Sequence, residues 1–345
     1  MILQEKLRKM QVTYTLIDNI LEGELKSPFK YFNTHQNMKN RFLILLFGIF
    51  GLSSYAQQDA QFTQYMYNTV NINPAYAGSR GVLSIFGLHR TQWVGLDGAP
   101  TTNSFSINTP VNNSNIGLGL SVINDRIGPS DESSISVDVS YSIKTSETFK
   151  LSFGVKGTAN LLNIDFSKLY INAPGDALAQ YNIDSKFSPN VGAGIYYHSN
   201  KSYIGLSVPN FLETEHYNKS SSSPSNSIAT ERLHYHFIAG HVFDLNESIK
   251  FKPALLTKLV QGAPLQVDAS ANFLFNEKLV LGAAYRWDAA ASLMAGFQVN
   301  KSWFIGYGYD METTKLANYN SGSHEIFLRF ELFNNIENIV SPRFF

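Results

Sequence analysis

A chain of 345 residues with 44% hydrophobic and only 16% charged residues is lean in charge for a soluble surface of that size, and the balance points toward a membrane. Lys plus Arg and Asp plus Glu both number 27, so no basic excess is available to neutralise a phosphate backbone, which argues against nucleic acid as a partner. The absence of cysteine removes disulfides, thiolate metal sites and cysteine nucleophiles.

In chain order, the longest uninterrupted apolar stretch is Phe42 to Leu52, well short of the roughly 20 residues a spanning helix needs. Met38-Lys39-Asn40-Arg41 supplies a positive segment before it, and Ser54-Tyr55-Ala56 follows with small residues at the positions a signal peptidase reads. Residues 38–56 therefore read as a secretory signal peptide cleaved after Ala56. Residues 1–37, with Gln4-Glu5-Lys6 and Asn33-Thr34-His35-Gln36, have no place in an export signal and are expected to be a non-native upstream extension. Residues 1–56 hold seven of the basic and four of the acidic residues, so the exported part carries twenty basic against twenty-three acidic.

Residues 57–80 place Phe62, Tyr65, Met66, Tyr67, Pro74 and Tyr76 ahead of the first strand, as either a plug folded into a barrel or a periplasmic arm. Beyond them the apolar residues recur at every second position, the period of a strand with two unlike faces. In Ser134 to Lys144, for example, Ile135, Val137, Val139, Tyr141 and Ile143 share one face, and Ser136, Asp138, Ser140 and Ser142 share the other. Fourteen such segments are expected: 82–92, 101–109, 115–126, 133–144, 149–162, 187–198, 202–209, 231–243, 248–260, 264–275, 278–287, 289–299, 301–310 and 323–333. Every other connection is short, and the intervening ones include the long segments 163–186, 210–230 and 311–322. A sandwich would also alternate, but it has no reason to segregate loop lengths; an outer-membrane barrel does, with its short turns in the periplasm. The predicted fold is an all-β, fourteen-stranded antiparallel outer-membrane barrel over 81–333 with a periplasmic tail at 334–345. Glycines on polar faces (Gly117, Gly119, Gly192, Gly194) are expected to relieve crowding and permit curvature, and Tyr196, Tyr197, Trp287, Trp303, Tyr307 and Tyr309 to form an interfacial girdle.

Chemistry-bearing patterns are sparse. His234 and His236 share a strand face, a spacing two metal ligands can use, but no carboxylate or third ligand lies near in sequence and no metal is predicted. No Gly-x-Ser-x-Gly elbow and no phosphate loop is present, so neither an enzyme nor a cofactor is expected. Arg90, Asp125, Arg126, Asp310, His324 and Glu325 are candidates for a charged cluster in the lumen or at its mouth.

Several separated motifs carry a resemblance beyond pattern: Gln61-Phe62-Thr63-Gln64-Tyr65-Met66-Tyr67-Asn68, Asn73-Pro74-Ala75-Tyr76-Ala77-Gly78-Ser79-Arg80, and Arg90-Thr91-Gln92-Trp93 with Gly98-Ala99-Pro100. They continue with Asn124-Asp125-Arg126-Ile127-Gly128-Pro129, Gly262-Ala263-Pro264-Leu265, Tyr309-Asp310, Gly322-Ser323-His324-Glu325 and Ser341-Pro342-Arg343-Phe344-Phe345. In this order they resemble the PorP/SprF family of type IX secretion outer-membrane proteins across essentially all of 58–345. The resemblance implies a barrel paired with a secreted surface protein that bears a type IX C-terminal domain, and a periplasmic contact with a peptidoglycan-binding partner of the machinery. Trp93, Leu96 and Asp97, together with the long loops, are the candidate partner contacts, Trp93 serving either as a binding anchor or as a membrane-interface anchor. The competing class is a diffusion or uptake channel, since fourteen strands lie between small filled barrels and open porins; a hydrolase ranks last.

Mass-spectrometric reading of the mature N-terminus is expected to begin at Gln57, and a mature chain that retains Phe29-Lys30-Tyr31 would overturn the processing scheme.

Overall fold

A computed structural model describes residues 61–168, 182–212, 233–260 and 262–333. The expected upstream extension, the signal peptide, residues 57–60, the 334–345 tail, most of 210–230 and the middle of 163–186 lie outside the described residues. No helix among the described residues is long and apolar enough to cross a membrane, which says nothing of strands.

The strands are β1 (Leu83–Thr91), β2 (Thr101–Pro110), β3 (Ile116–Ile127), β4 (Ser130–Lys144), β5 (Lys150–Ile164), β6 (Ile183–His198), β7 (Ser202–Val208) and β8 (His234–His241). They continue as β9 (Phe243–Asp244), β10 (Ile249–Val260), β11 (Gln266–Phe275), β12 (Leu279–Arg286), β13 (Ala290–Gln298), β14 (Trp303–Glu312) and β15 (Ser323–Leu332). All fourteen expected segments are present, because β8 and β9 lie along the same side of β10 as one strand broken at Val242. The register is the same on both sides of the break (Ala254↔Gly240, Lys250↔Asp244), so no residue is inserted. Pro253, which has no N–H to donate, sits on β10 between these pairs and accounts for the gap in the ladder.

Each strand pairs antiparallel with its neighbours, and β15 closes on β1 from Leu83↔Leu332 to Thr91↔His324. Closure leaves no sheet edge, the condition for a strand assembly to satisfy its backbone in lipid. The alternation fixes the two sides of the wall: Ile135, Val137, Val139, Tyr141 and Ile143 are exposed outward, whereas Ser136, Asp138 and Ser140 are buried inward. Aromatic pairs ring the outer face near the short-turn end, with Phe149 against Tyr197 at 4.9 Å, Phe251 against Phe273 at 4.9 Å and Trp303 against Phe330 at 4.7 Å between ring centroids. Trp287 and Tyr285 are exposed at the other end, and Tyr307 is exposed midway along β14. Tyr196 does not belong to a girdle: it is buried inside, edge-on to Tyr76 at 5.5 Å, as adjacency to outward-facing Tyr197 requires.

Short turns gather at one end, and the loops 92–100 and 313–322 lie at the other, with the strand ends Ile164, Ile183, Val208 and His234. The two-residue link Gly128-Pro129 shows that the second end is not uniformly long-looped. The β5–β6 hairpin also runs further than the expected 149–162 and 187–198, reaching Ile164 and Ile183 and shortening the loop between them.

Residues 61–80 run through the interior from the long-loop end to the start of β1. They make three short 3-10 turns, Tyr65–Tyr67, Thr69–Asn71 and Pro74–Tyr76, with Met66, Val70 and Ala75 wholly buried. Asn73 caps the last turn by accepting the Ala75 N–H, and Pro74 fills the first position, where its missing donor costs nothing. Tyr65, Met66, Tyr67, Val70 and Tyr76 pack against Phe86, Ile238, Leu256, Phe304 and Phe327 in one apolar cluster.

Val137 faces outward at the middle of β4. Val137→Arg is expected to destabilise the folded barrel by about 2–4 kcal/mol in urea unfolding from lipid vesicles; an unchanged midpoint would mean that this face does not meet hydrocarbon.

Candidate functional site

The lumen is organised around two buried ionic clusters that hold the internal segment. Toward the long-loop end, Arg90 on β1 meets Asp310 on β14 and Glu325 on β15, with all three side chains at most 2% exposed. Arg90 donates to Asp310 Oδ2 at 2.7 Å, Glu325 Oε2 at 3.1 Å and Thr63 Oγ1 at 2.9 Å. Thr63 Oγ1 in turn donates to Asp310 Oδ2 at 2.6 Å. One guanidinium cannot balance two carboxylates, and Glu325 accepts the backbone N–H groups of Thr63 at 3.0 Å and Gln64 at 2.9 Å. Charge-assisted bonds of this kind are about twice as strong as neutral ones, and here they come from the internal segment itself.

Near the short-turn end, Arg80 pairs with Glu331 of β15 and donates to the Tyr76 hydroxyl at 3.3 Å. Arg329 lies 3.6 Å from the same carboxylate, with its guanidinium 4.9 Å above the Phe304 ring. Between the two anchors Lys156 of β5 donates to the carbonyls of Val70 and Asn71 at 3.2 and 3.1 Å, and pairs with Asp138 at 3.5 Å. Ser140 and Ser207 donate to the carbonyls of Ala77 and Ile72, at 2.7 and 2.6 Å. The inward glycines have a more specific role than curvature. A Cβ on Gly117 would fall 2.1 Å from the Ala77 carbonyl oxygen, and one on Gly154 would fall 2.2 Å from the Ala75 nitrogen. Only a bare Cα lets the internal main chain lie this close to the wall.

Of the six residues expected to form one charged cluster, Arg90, Asp310 and Glu325 come together. The others do not. Asp125 faces inward and accepts from Thr102, apart from the triad. Arg126 is exposed, and His324 is exposed outward beside Tyr307, whose hydroxyl lies 2.6 Å from its Nδ1. The physical reason is strand parity: Arg126 follows Asp125 and His324 precedes Glu325, so neighbours in sequence face opposite sides of the wall. His234 and His236 are buried on the inner face, and no group of three His, Asp or Glu among the described residues is arranged to hold a metal ion.

Trp93 has its backbone at φ 46° and donates from Nε1 to Glu312 at 2.8 Å and from its amide to Ser323 Oγ at 3.2 Å. Val94 exchanges backbone bonds with Gly322 and Ser321 at 2.9 and 2.8 Å, which ties the 92–100 loop to the 313–322 loop. Leu96 is half-buried and Asp97 exposed. Sequence reasoning did not single out Arg80, Glu331, Asp138 or Lys156 as site residues. The available signal was an inward-facing charge on a strand whose lumen must hold something of opposite polarity.

The segment that carries these contacts, 61–80, is also the stretch on which the sequence resemblance begins. A family model described as "Type IX secretion system membrane protein PorP/SprF" matches residues 54–330. The chain belongs to the PorP/SprF family. It is thus a non-enzymatic outer-membrane barrel protein of the type IX secretion system. No curated protein sequence matches this PorP/SprF protein. Among solved structures it is similar to the "CymD monoaromatic hydrocarbon channel" (11% identity, TM-score 0.43, covering 79% of this chain and 93% of that one). It is also similar to a Pseudomonas aeruginosa FadL homologue (11%, 0.39, 73% and 89%) and to the KdgM porin (8%, 0.35, 72% and 99%).

Arg90→Met leaves Asp310 and Glu325 buried without their cation, and is expected to cost about 3–5 kcal/mol. Glu325→Gln keeps an acceptor for the Thr63 and Gln64 amides and is expected to cost less. The temperature at which the folded band is lost on semi-native electrophoresis orders the two variants; equal losses would show that the excess carboxylate charge does not depend on Arg90.

Proposed function

We propose that this PorP/SprF barrel assists the export and cell-surface anchoring of one partner secreted protein bearing a type IX C-terminal domain, as part of the secretion and gliding machinery. The observation that carries the reading is the occupied lumen, in which residues 61–80 are anchored at both ends and seated on wall glycines. A barrel filled in this way is suited to presenting surfaces rather than to passing solute. Its long loops face outward and its short turns face a periplasmic peptidoglycan-binding partner, following the general disposition of outer-membrane barrels. Trp93, Leu96 and Asp97 are the proposed contacts for the secreted partner. The two-way backbone pairing of Val94 with the 313–322 loop supports this, because a preorganised loop loses little entropy on binding.

Deletion of the gene is expected to release or destabilise one secreted surface protein while type IX secretion in general continues; unchanged surface retention of every such protein would defeat the proposal. Purified barrel in planar bilayers is expected to be electrically quiet, whereas steady, large single-channel openings would favour a diffusion channel. Trp93→Ala is expected to lower cargo retention at unchanged barrel abundance, and a fall in abundance alone would assign Trp93 to the membrane interface.

A further inference from the structure

The outward apolar band is not equally tall around the wall. On β4 it runs from Ile135 to Ile143, about 26 Å of strand at roughly 3.3 Å per residue, and along β12 it runs equally far, from Leu279 to Trp287. Both approach the roughly nine to eleven residues that a tilted strand needs to cross hydrocarbon. On β1 the outward residues are Leu83, Ile85 and Gly87, followed by His89 and Thr91. On β2 they are Ile107 and Phe105, followed toward the long-loop end by Asn103 and Thr101. The apolar stretch of β1 is thus about 13 Å, half that of β4. Gly87 thins it further, since a Cβ there would meet nothing within 4 Å.

A vertical offset of the strands does not account for the difference. His89 stands as far along β1 from Leu83 as Tyr285 does along β12 from Leu279, both strands starting at the short-turn end. Asn103 is nearer the short-turn end of β2 at Pro110 than Ile135 is to that of β4 at Lys144. Polar residues on β1 and β2 therefore occupy the level at which Ile135 and Tyr285 are exposed elsewhere.

The two polar rows interlock. His89 and Asn103 are register partners, with His89 Nδ1 donating to Asn103 Oδ1 at 2.8 Å and Nε2 3.1 Å from Thr91 Oγ1. The Asn103 amide nitrogen has no hydrogen-bond partner among the described residues. Asn124 and Arg126 continue the patch on β3, across from Asn103 and Thr101, and Asp131 across from Arg126 accepts from Asn124 at 2.7 Å. One cation and one carboxylate leave the patch polar without a formal charge excess. Amide donors and an imidazole are costly to hold against acyl chains, which offer no hydrogen bonds, whereas headgroup ester, phosphate and sugar oxygens accept from them.

We infer that the outer wall of β1 and β2, at the long-loop end, is a docking surface for lipid headgroups, which reach further down the barrel here than at β4 or β12. Lipid is the occupant because this face continues the lipid-facing wall on both sides, through Ile326 on β15 and Val122 on β3. The bilayer is accordingly thinner beside the seam where β1 meets β15. The inference requires only the barrel in a bilayer and does not rest on the anchoring role.

The chain has no cysteine, so one introduced thiol can carry a single fluorophore. The full chain is labelled with nitrobenzoxadiazole at Asn103→Cys, His89→Cys or Ile135→Cys and reconstituted in dioleoylphosphatidylcholine vesicles. Quenching is then compared between phosphatidylcholine spin-labelled on its headgroup and phosphatidylcholine spin-labelled at mid-chain. Headgroup label is expected to quench more strongly at 103 and 89, and mid-chain label more strongly at 135. Extending the apolar band with His89→Leu and Thr91→Leu is expected to shift the probe at 103 toward mid-chain quenching. Heat-modifiable electrophoretic mobility identifies the variants that fold, and either site on the patch suffices. The inference is overturned if the patch sites are quenched as Ile135→Cys is, or if the folded band-extended variant quenches as its parent does. It is equally overturned if neither lipid reaches the patch sites, the result expected where a second copy of the barrel covers this face.

Discussion

Two carboxylates buried beside a single guanidinium leave a negative charge inside a wall surrounded by lipid, and the structure depends on where that charge is met. Glu325 cannot reach solvent, and Arg90 is shared with Asp310. The remaining demand is met by the N–H groups of Thr63 and Gln64, which a strand cannot supply because its own donors are committed to the ladder. Breaking a buried ion pair by removing one member costs several kcal/mol, so an empty lumen would leave this cluster strained in the same sense. The internal segment therefore acts as a structural component of the barrel, and its sequence answers to the wall as closely as a core residue answers to its neighbours.

That relation explains why the inner face is polar along some strands and apolar along others. On β2 to β5 the inward residues include Thr102, Ser104, Ser106, Ser121, Ser136, Asp138, Ser152 and Thr158, several of which bond one another or the internal segment, with the apolar Leu162 and Ile164 confined to the end of β5. On β12 to β15 the inward residues include Val280, Met294, Phe304 and Phe327, which pack against the rings of Tyr67 and its neighbours. Segments such as Leu279–Arg286 consequently read as apolar on both faces, a pattern that a water-filled barrel has no reason to carry.

The wall was legible in the sequence because its constraint is local and periodic. One residue of slip would turn every lipid-facing Val and Ile inward, so the alternation through Ile135, Val137 and Val139 identifies β4 from its sequence alone. The contents of the lumen were less legible because they depend on pairs far apart in the chain: Thr63 with Glu325, Arg80 with Glu331, Lys156 with Val70. Parity alone would have separated His324 from Glu325 and Arg126 from Asp125, since adjacent residues on a strand cannot share a face. It would not have shown that Gly117 and Gly154 mark the path of another backbone, because a glycine on an inward face serves a turn of the wall equally well.

Both anchors of the internal segment also touch the seam where the barrel closes. Arg90 lies on β1 and Glu325 and Glu331 on β15, the first and last strands of the chain, which pair with each other across more than two hundred intervening residues. Joining chain ends so distant carries a loop-closure entropy that grows slowly with length but must be met before the last ladder forms. An internal segment that binds both β1-side and β15-side charges brings those strands together through contacts that do not require the ladder. It enters the first strand through Arg80 and Gly81, so docking it against β15 also sets the position from which β1 must start. Closure of the wall and occupation of the lumen are thus one event in energetic terms. A barrel built this way holds its interior fixed and leaves the loops free of that constraint, so that a change of side chain there alters a binding surface without disturbing the charges within.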